Sequence, residues 1–517
     1  MMVLRLVTIL PLACITLYLL AAGCESGTET PADTCPDDPA KSEPGRCGCG
    51  IADTDSDGDG TPDCEQAEPF GQWGPAPEAA IRTTIFDEVW LDYRQHYAGF
   101  VQSDVDWDLI AADLRPRIEA ATTYGEFFRL LRSAFFDLRD AHDVVWSQRI
   151  CGGSPSLGLP VFWTGHDFAG KELRICLTVL DDDTALVYRA SANNPAALEP
   201  GDRIVGYDDK DLRQVLNDAM KLPVCGSQPT HRETNDRWLM EAAAANFQLH
   251  QTMQVQRLGS PVVASIDTEP LRGAGFDTTF CSTQLAVGVP VPWDALPDAG
   301  ARPPVTWALL PGTQIGYIYV YAWTGSADTL FLQAVQELWD TTGLIVDFRY
   351  NLGGNMFLSF PALQELFNQN IAGVFAVGVR ANIDDPYAMN IITNGYGVTV
   401  NAQYYDHPIA VLTGTYAVSS GDIVGIYLAS HPRARRFGRP SAGSACFDSR
   451  TGTLWEHDPY LGDLTVSRTP CIGYGGDGQP VAAGSIEPEQ RVWLTPDDVA
   501  QGRDTVVQAA LDWIQTQ

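Results

Sequence analysis

Residues 408–418 read PIAVLTGTYAV, an apolar run without polar alternation, and the chain then turns through Ser419-Ser420-Gly421 straight into a helical stretch beginning DIVGIYLA. A strand that is apolar on both sides has to be covered on both sides. It belongs inside a layered α/β sheet rather than on a solvated face.

The last third of the chain repeats that alternation. TQIGYIYVYAW (313–323), an amphipathic helix to about residue 338, GLIVDFRYNLGG (343–354), another helix, then 408–418 and its helix follow one another as strand–helix units do, and such strands run parallel. Gly353-Gly354 close the second strand in a turn that lets backbone N–H groups point into a cleft. Ser419 sits at a strand end with a helix N-terminus behind it, where developing negative charge is favoured. Together the two strand ends make Ser419 a candidate nucleophile for acyl transfer.

Upstream the character changes twice. PEAAIRTTIFDEVWLDYRQHY and WDLIAADLRPRIEAATTYGEFFRLLRSAFFDL space their apolar residues helically, so residues 75–150 are expected to form an N-terminal helical domain. After its last helix comes Leu138-Arg139-Asp140-Ala141-His142-Asp143. Residues 156–270 read as short strands, and NNPAALEPGDRIVGYDDKDL (193–212) joins a turn, a Pro-Gly-Asp loop, a buried IVGY strand and a second turn.

The N-terminus points to export. Arg5 precedes the apolar run VTILPLACITLYLLAA (7–22), which has the length of a signal-peptide core. Residues 1–23 are therefore expected to be a signal peptide. A formal charge of −32 works against binding nucleic acid or anionic headgroups, and no basic patch with interleaved aromatics occurs. Of the twelve cysteines, ten remain once Cys14 and Cys24 are set aside, an even number that suits an oxidising compartment. Local pairing suggests Cys151–Cys176, Cys225–Cys281 and Cys446–Cys471, with two bridges inside residues 35–64, although spacing alone does not fix connectivity. Asp53, Asp55, Asp57, Asp59 and Asp63 alternate around Gly58 and Gly60, a pattern of oxygen ligands suited to Ca2+. An acidic, unstructured stalk is the alternative for that stretch.

Several stretches resemble known families. Ala21-Ala22-Gly23-Cys24 resembles a bacterial lipobox, which implies lipidation at Cys24 and a place in the bacterial cell envelope, with the outer membrane favoured over free secretion. Residues 35–64 resemble a thrombospondin type 3 calcium repeat. Residues 193–212 resemble the second half of a PDZ domain of bacterial proteases, with SLGLPVF (156–162) as its carboxylate loop.

FRYNLGG, GTYAVSSGDIV, LRDAH and IEPEQRVWLTPDDVAQGRD, in their order along residues 77–515, resemble the motifs of the C-terminal processing (tail-specific) and tricorn-like serine peptidases. The fold this implies is α/β: a crotonase-like strand–helix protease core over 300–517, a PDZ-like β domain with an insertion over 151–299, the helical domain, and a Cys- and Asp-rich linker over 24–74. The resemblance implies Ser419 as nucleophile, with the N–H of Ser420 and that of Gly353 or Gly354 forming the oxyanion hole. Processing peptidases use a lysine base after the serine, but Ser444 stands at that place and no lysine follows Lys221. The tricorn-like branch uses a histidine instead, and His142 matches it. Asp477, with Glu487 as second choice, is the acid expected to orient it, whereas Asp422 is expected to cap a helix. The expected enzyme is an exported serine endopeptidase cleaving unfolded or C-terminal segments of proteins, with no cofactor for catalysis and Ca2+ structural in residues 53–63. An inactive peptide-binding relative and a calcium-dependent surface structural protein are the alternatives.

Overall fold

In the computed structural model the chain divides into one unit through Ala67 and another from Glu68 to Gln517. The described residues are 71–103, 105–152, 161–162, 175–191, 194–226, 228–273, 303–371, 375–391, 397–401, 404–443, 452–475 and 485–517. The signal segment, Cys24, the aspartates of residues 53–63 and the SLGLPVF loop up to residue 160 lie outside them. Among the described residues no helix is long and apolar enough to cross a membrane.

The helical region consists of Ala79–His96, Trp107–Ala120 and Tyr124–Phe136. Asp106 and Thr123 cap the second and third helices by accepting the amides of Leu109 and Glu126. Tyr93, Tyr97, Phe100, Trp107 and Phe135 pack edge-on or tilted at the centre. The cluster is finished by Leu464 and Val466, because Val144–Ser147 pairs antiparallel with Leu464–Arg468. A piece of the C-terminal third thus covers the N-terminal helices.

An antiparallel sheet follows, ordered Ile175–Val179, Ala185–Ala190, Arg203–Tyr207, Thr252–Gln256 and Val263–Asp267. The stretch expected to be strands also contains two helices, Leu212–Ala219 and Arg232–Ala245. Leu212, Val215, Leu216 and Ala219 have helical spacing and are buried, and Asp211 and Gln214 close a capping box. Both helices pack on the sheet through Leu216, Leu239, Met240 and Ala243.

The core sheet runs Val305–Leu309, Ile315–Val320, Gly343–Asp347, Ile409–Thr413, Ala434–Gly438, Gln490–Arg491. The first pair is antiparallel and every later pair is parallel, as the strand–helix alternation requires. Gly343–Asp347 and Ile409–Thr413 are buried at every position. Leu344, Val346, Ile409 and Val411 face a layer containing Ala334, Val335, Ile423 and Tyr427, while Ile345, Ala410 and Leu412 face Val506, Ala510 and Ile514. Period-two alternation therefore feeds two separate cores, one on each side of the sheet.

The cystine bridge Cys151–Cys225, with Cα atoms 5.7 Å apart, replaces the expected Cys151–Cys176 and Cys225–Cys281 pairs. Val161–Phe162 pairs with Val224–Cys225, and Cys225 joins the core of the helical region. That strand pairing, rather than nearness in sequence, chose the partner. Cys176 and Cys471 are also disulfide-bonded.

Candidate active site

The strand Ile409–Thr413 ends in a loop whose residues are buried through Val418, and Ser419 then emerges half-buried. Its backbone, φ 59° and ψ −119°, lies where only glycine is comfortable. Such a conformation costs about 1–3 kcal/mol and persists only when neighbours dictate it. Here they do: Val418 N–H donates to Asn351 O at 3.0 Å, Gly421 N–H to Val418 O at 2.9 Å, and Ala442 N–H to Ala417 O at 2.8 Å. The helix Ser420–Ala429 starts at once, and the Ser419 hydroxyl caps none of its amides. The side chain is thereby left available at the positive end of a helix.

The glycine turn lies against this serine. A Cβ on Gly353 would be 2.7 Å from Ser419 Cβ and 3.2 Å from its Oγ, and one on Gly354 would strike Trp323 O at 2.3 Å. Only glycine fits either place, and both have positive φ. The two glycines differ in their amides. Gly353 N–H is held by Asn351 Oδ1 at 2.9 Å, while in the bridge to Trp323 the bonds run to Gly353 O and from Asn355 N–H, bypassing Gly354 N–H. Ser420 Oγ donates to Gly354 O at 2.5 Å, tying the start of the helix to the turn. As the first residue of its helix, Ser420 has an amide without an intrahelical partner.

His142 follows the helical region in a loop fixed at both ends. Asp143 accepts Thr469 N–H at 3.0 Å, and Asp140 accepts the amide of His142 itself at 2.9 Å and the Tyr97 hydroxyl at 3.3 Å. Ala141 packs against Val418 and Ala442, which brings the histidine loop onto the Ser419 turn. No hydrogen bond joins His142 to Ser419 in this structure. The buried His142 Nδ1 makes no hydrogen bond to a described residue, and among the described residues the carboxylate oxygen Asp140 Oδ1 lies 4.0 Å away. Burial lowers the imidazole pKa below its usual 6.5, and Asp140 partly offsets this. The ring is therefore neutral, and able to take a proton, across the neutral range. Asp140 was legible in LRDAH but lay outside the expected site.

The remaining family positions serve the scaffold. Arg349, fully buried, forms paired bonds to Asp347 (2.6 Å at the shortest) and Asp504 (2.8 and 3.0 Å). Burial opposes its charge, but the two carboxylates hold its pKa well above the usual guanidinium value. Asp504 also caps the helix Thr505–Ile514, so this triad welds the glycine strand to the C-terminal helix. On the other side Glu241, buried in the helix Arg232–Ala245, accepts the Tyr416 hydroxyl, Thr178 Oγ1 at 3.1 Å and Val179 N–H at 3.1 Å. Tyr416 stacks between Trp238 (5.3 Å) and Tyr350 (4.4 Å), and Trp238 Nε1 donates to Thr415 O at 2.8 Å. Neither Glu241 nor Trp238 carried a sequence signal, because their hydrogen-bond partners lie from 62 to 177 residues away.

Asp477 and Ser444 lie outside the described residues. Glu487 is taken up by His231 Nε2 at 2.9 Å and Arg491 at 3.1 Å. Asp422 is buried and accepts Gly443 N–H at 3.3 Å; the N-cap position belongs to Ser419, so the expected capping role gives way to a tie between helix and loop. His431 is held by Leu366 O, and burial brings its pKa to about 4.

Two family models match the chain: peptidase family S41 over residues 314–459 and the tricorn protease C1 domain over residues 79–136. No curated protein matches it in sequence. Among solved structures it is similar to mature CPAF complexed with lactacystin, at 12% identity over 84% of this chain and 97% of that one, with TM-score 0.59. Mature CPAF alone gives 12% identity, 84% and 96% coverage, and 0.58. At that identity the likeness speaks to the fold, which is shared across nearly the whole of those chains. With the serine turn, the glycine turn and the histidine loop in order on that fold, the chain is a peptidase that resembles peptidase family S41, of the tail-specific and tricorn-like kind.

Proposed function

We propose that this peptidase is an exported serine endopeptidase that cleaves unfolded or C-terminal protein segments through an acyl-enzyme at Ser419. The observation that carries the proposal is the strained Ser419 conformation with Gly353 against its side chain. Evolution tolerates such strain chiefly where a side chain must be presented to a substrate.

In the proposed reaction, neutral His142 takes the Ser419 proton as Oγ attacks the scissile carbonyl, and returns it to the leaving amine. Water then attacks the acyl carbon as it gives a proton to His142, and the ester bond to Ser419 Oγ breaks as His142 returns that proton to Oγ, releasing the carboxylate product. Of the amides nominated for the oxyanion hole, those of Gly354 and Ser420 suit the role in the present geometry, since Gly353 N–H is engaged by Asn351. Asp477 remains the group assigned to orient His142, with Asp140 contributing through its charge. Cys24 lipidation in the bacterial envelope and calcium in residues 53–63 belong to the same proposal and rest on sequence alone.

The test is hydrolysis of unfolded casein and of a fluorogenic peptide by the mature chain, beside Ser419→Ala and His142→Ala. Loss of cleavage in both folded variants is the expected result. Cleavage undiminished in Ser419→Ala would overturn the nucleophile, and a wild type inert on every substrate would favour a peptide-binding protein. Globomycin sensitivity of processing would test lipidation at Cys24, and calcium titration of the isolated N-terminal unit would test the aspartates.

A further inference from the structure

A cavity of about 250 Å³ opens where the antiparallel sheet, the helix Arg232–Ala245 and the ends of two core strands meet. Its wall carries three guanidinium groups, Arg237, Arg439 and Arg491, against two carboxylates, Asp181 and Glu233, with the indole of Trp493 beside them. Glu487, beside that wall, also pairs with Arg491 at 3.1 Å, so the positive and negative groups there are even in number. Arginine clusters of this kind are the usual receptors for planar oxyanions.

The arrangement of the charges is uneven. The Arg439 side chain is 6% exposed, donates to Val179 O at 2.5 Å, and lies 4.8 Å from the Trp493 ring centre. Burial, together with the neighbouring Arg237, brings its pKa down to about 10 against the opposing pull of Asp181 and Glu241. Asp181 is the opposite case: its side chain is 83% exposed, yet its Oδ1 alone accepts from both Arg439 (2.6 Å) and Arg237 (2.8 Å). A carboxylate so exposed to water contributes little to stability through its ion pairs. The volume is slightly below that of common ligand pockets, about 300–1,000 Å³, which suits one residue or a small acid rather than an extended peptide.

We propose that this cavity binds a carboxylate ligand with an apolar substituent, the carboxylate replacing Asp181 on Arg439 and Arg237 and the apolar part lying on Trp493. The carboxylate could come from a free small acid or from the end of a polypeptide. The site uses neither Ser419 nor His142 and stands or falls apart from the proposed hydrolysis.

Calorimetric titration of the mature chain carrying Ser419→Ala, which prevents turnover, tests it with three probes. These are N-acetylphenylalanine, its uncharged amide, and an acetylated hexapeptide ending in phenylalanine with a free carboxylate. Saturable binding of an acid is expected, with the amide about tenfold weaker or more because charge-assisted bonds are lost. Asp181→Asn, at an exposed position, should tighten acid binding by removing the competing carboxylate, and Arg439→Gln should weaken it. Arg491→Gln, 57% exposed, should also weaken it and guards against a folding defect in the Arg439 variant. Similar affinities for the single residue and the hexapeptide assign the site to free acids, and binding of the hexapeptide alone assigns it to chain ends. Equal binding of acid and amide, no binding of either acid, or affinities unmoved by Asp181→Asn and Arg491→Gln would overturn the proposal.

Discussion

Gly353 and Ser419 lie so close that a single methyl group on the glycine would stand 2.7 Å from the serine Cβ and 3.2 Å from its Oγ. Two strand ends, 66 residues apart, are packed to the limit of contact at the point where chemistry is proposed. Gly353→Ala should therefore displace the serine. With φ at +83° the alanine also carries a backbone penalty of about 1–2 kcal/mol. A displacement of this kind is expected to lower kcat/KM by about 100-fold or more while the fold survives, checked by steady-state kinetics beside circular dichroism.

In the proposed mechanism the acid limb of the pH–activity profile reports His142. Burial lowers its pKa below 6.5, and the neutral ring is the active form, so activity should hold down through pH 6.5 and fall only below it. The Asp140 carboxylate raises that pKa, so Asp140→Asn should move the limb further toward acid. For folding the sign is the same: the unfolded histidine binds its proton first, so this group opposes folding as pH falls through 6.5 toward the native value and is without effect above it. A kcat/KM profile from pH 4 to 9 decides the matter, and a limb above 6.5 would contradict it.

Arg349→Gln would leave Asp347 and Asp504 facing each other inside the core. Removing one partner from a buried ion cluster costs about 3–5 kcal/mol. Asp504→Asn retains an oxygen to cap the C-terminal helix and should cost less. Urea denaturation of the three proteins would rank them.

Tyr416→Phe removes the hydroxyl that Glu241 accepts, and a buried acceptor left short of a donor costs about 1–3 kcal/mol. Since Tyr416 stands three residues before Ser419, kcat should fall more than KM changes. Glu241→Gln, which keeps an acceptor oxygen, should be the milder variant in both respects.

Opening Cys151–Cys225 with paired serines should lower stability by about 2–4 kcal/mol. Peptide mapping without reduction should recover the linked Cys151 and Cys225 peptides; recovery of Cys151 linked to Cys176 would contradict the structure.

Much of the core was legible because its signals are local. Strands such as Gly343–Asp347 and Ile409–Thr413 advertise burial on both faces in their own composition, and Gly353-Gly354 and Ser419-Ser420 mark their ends. The two helices at 212–219 and 232–245 were missed inside a stretch read for its strands, although Leu212, Val215, Leu216 and Ala219 kept helical spacing. Asp140 stood two residues from His142 and was passed over, since proximity of its carboxylate to the ring is a matter of loop geometry.

What the sequence determined by itself was the order of layers and the family's turns, because an apolar period or a glycine pair acts through neighbours a few residues away. Only the tertiary structure decided who meets whom. Val144–Ser147 finds Leu464–Arg468, Cys151 finds Cys225, Asp504 finds Arg349, and Glu241 finds Tyr416, across separations from 74 residues to more than 300. Those pairings follow from the sheet's strand order and the burial of charged and aromatic groups that need a partner once water is excluded. No local pattern records them.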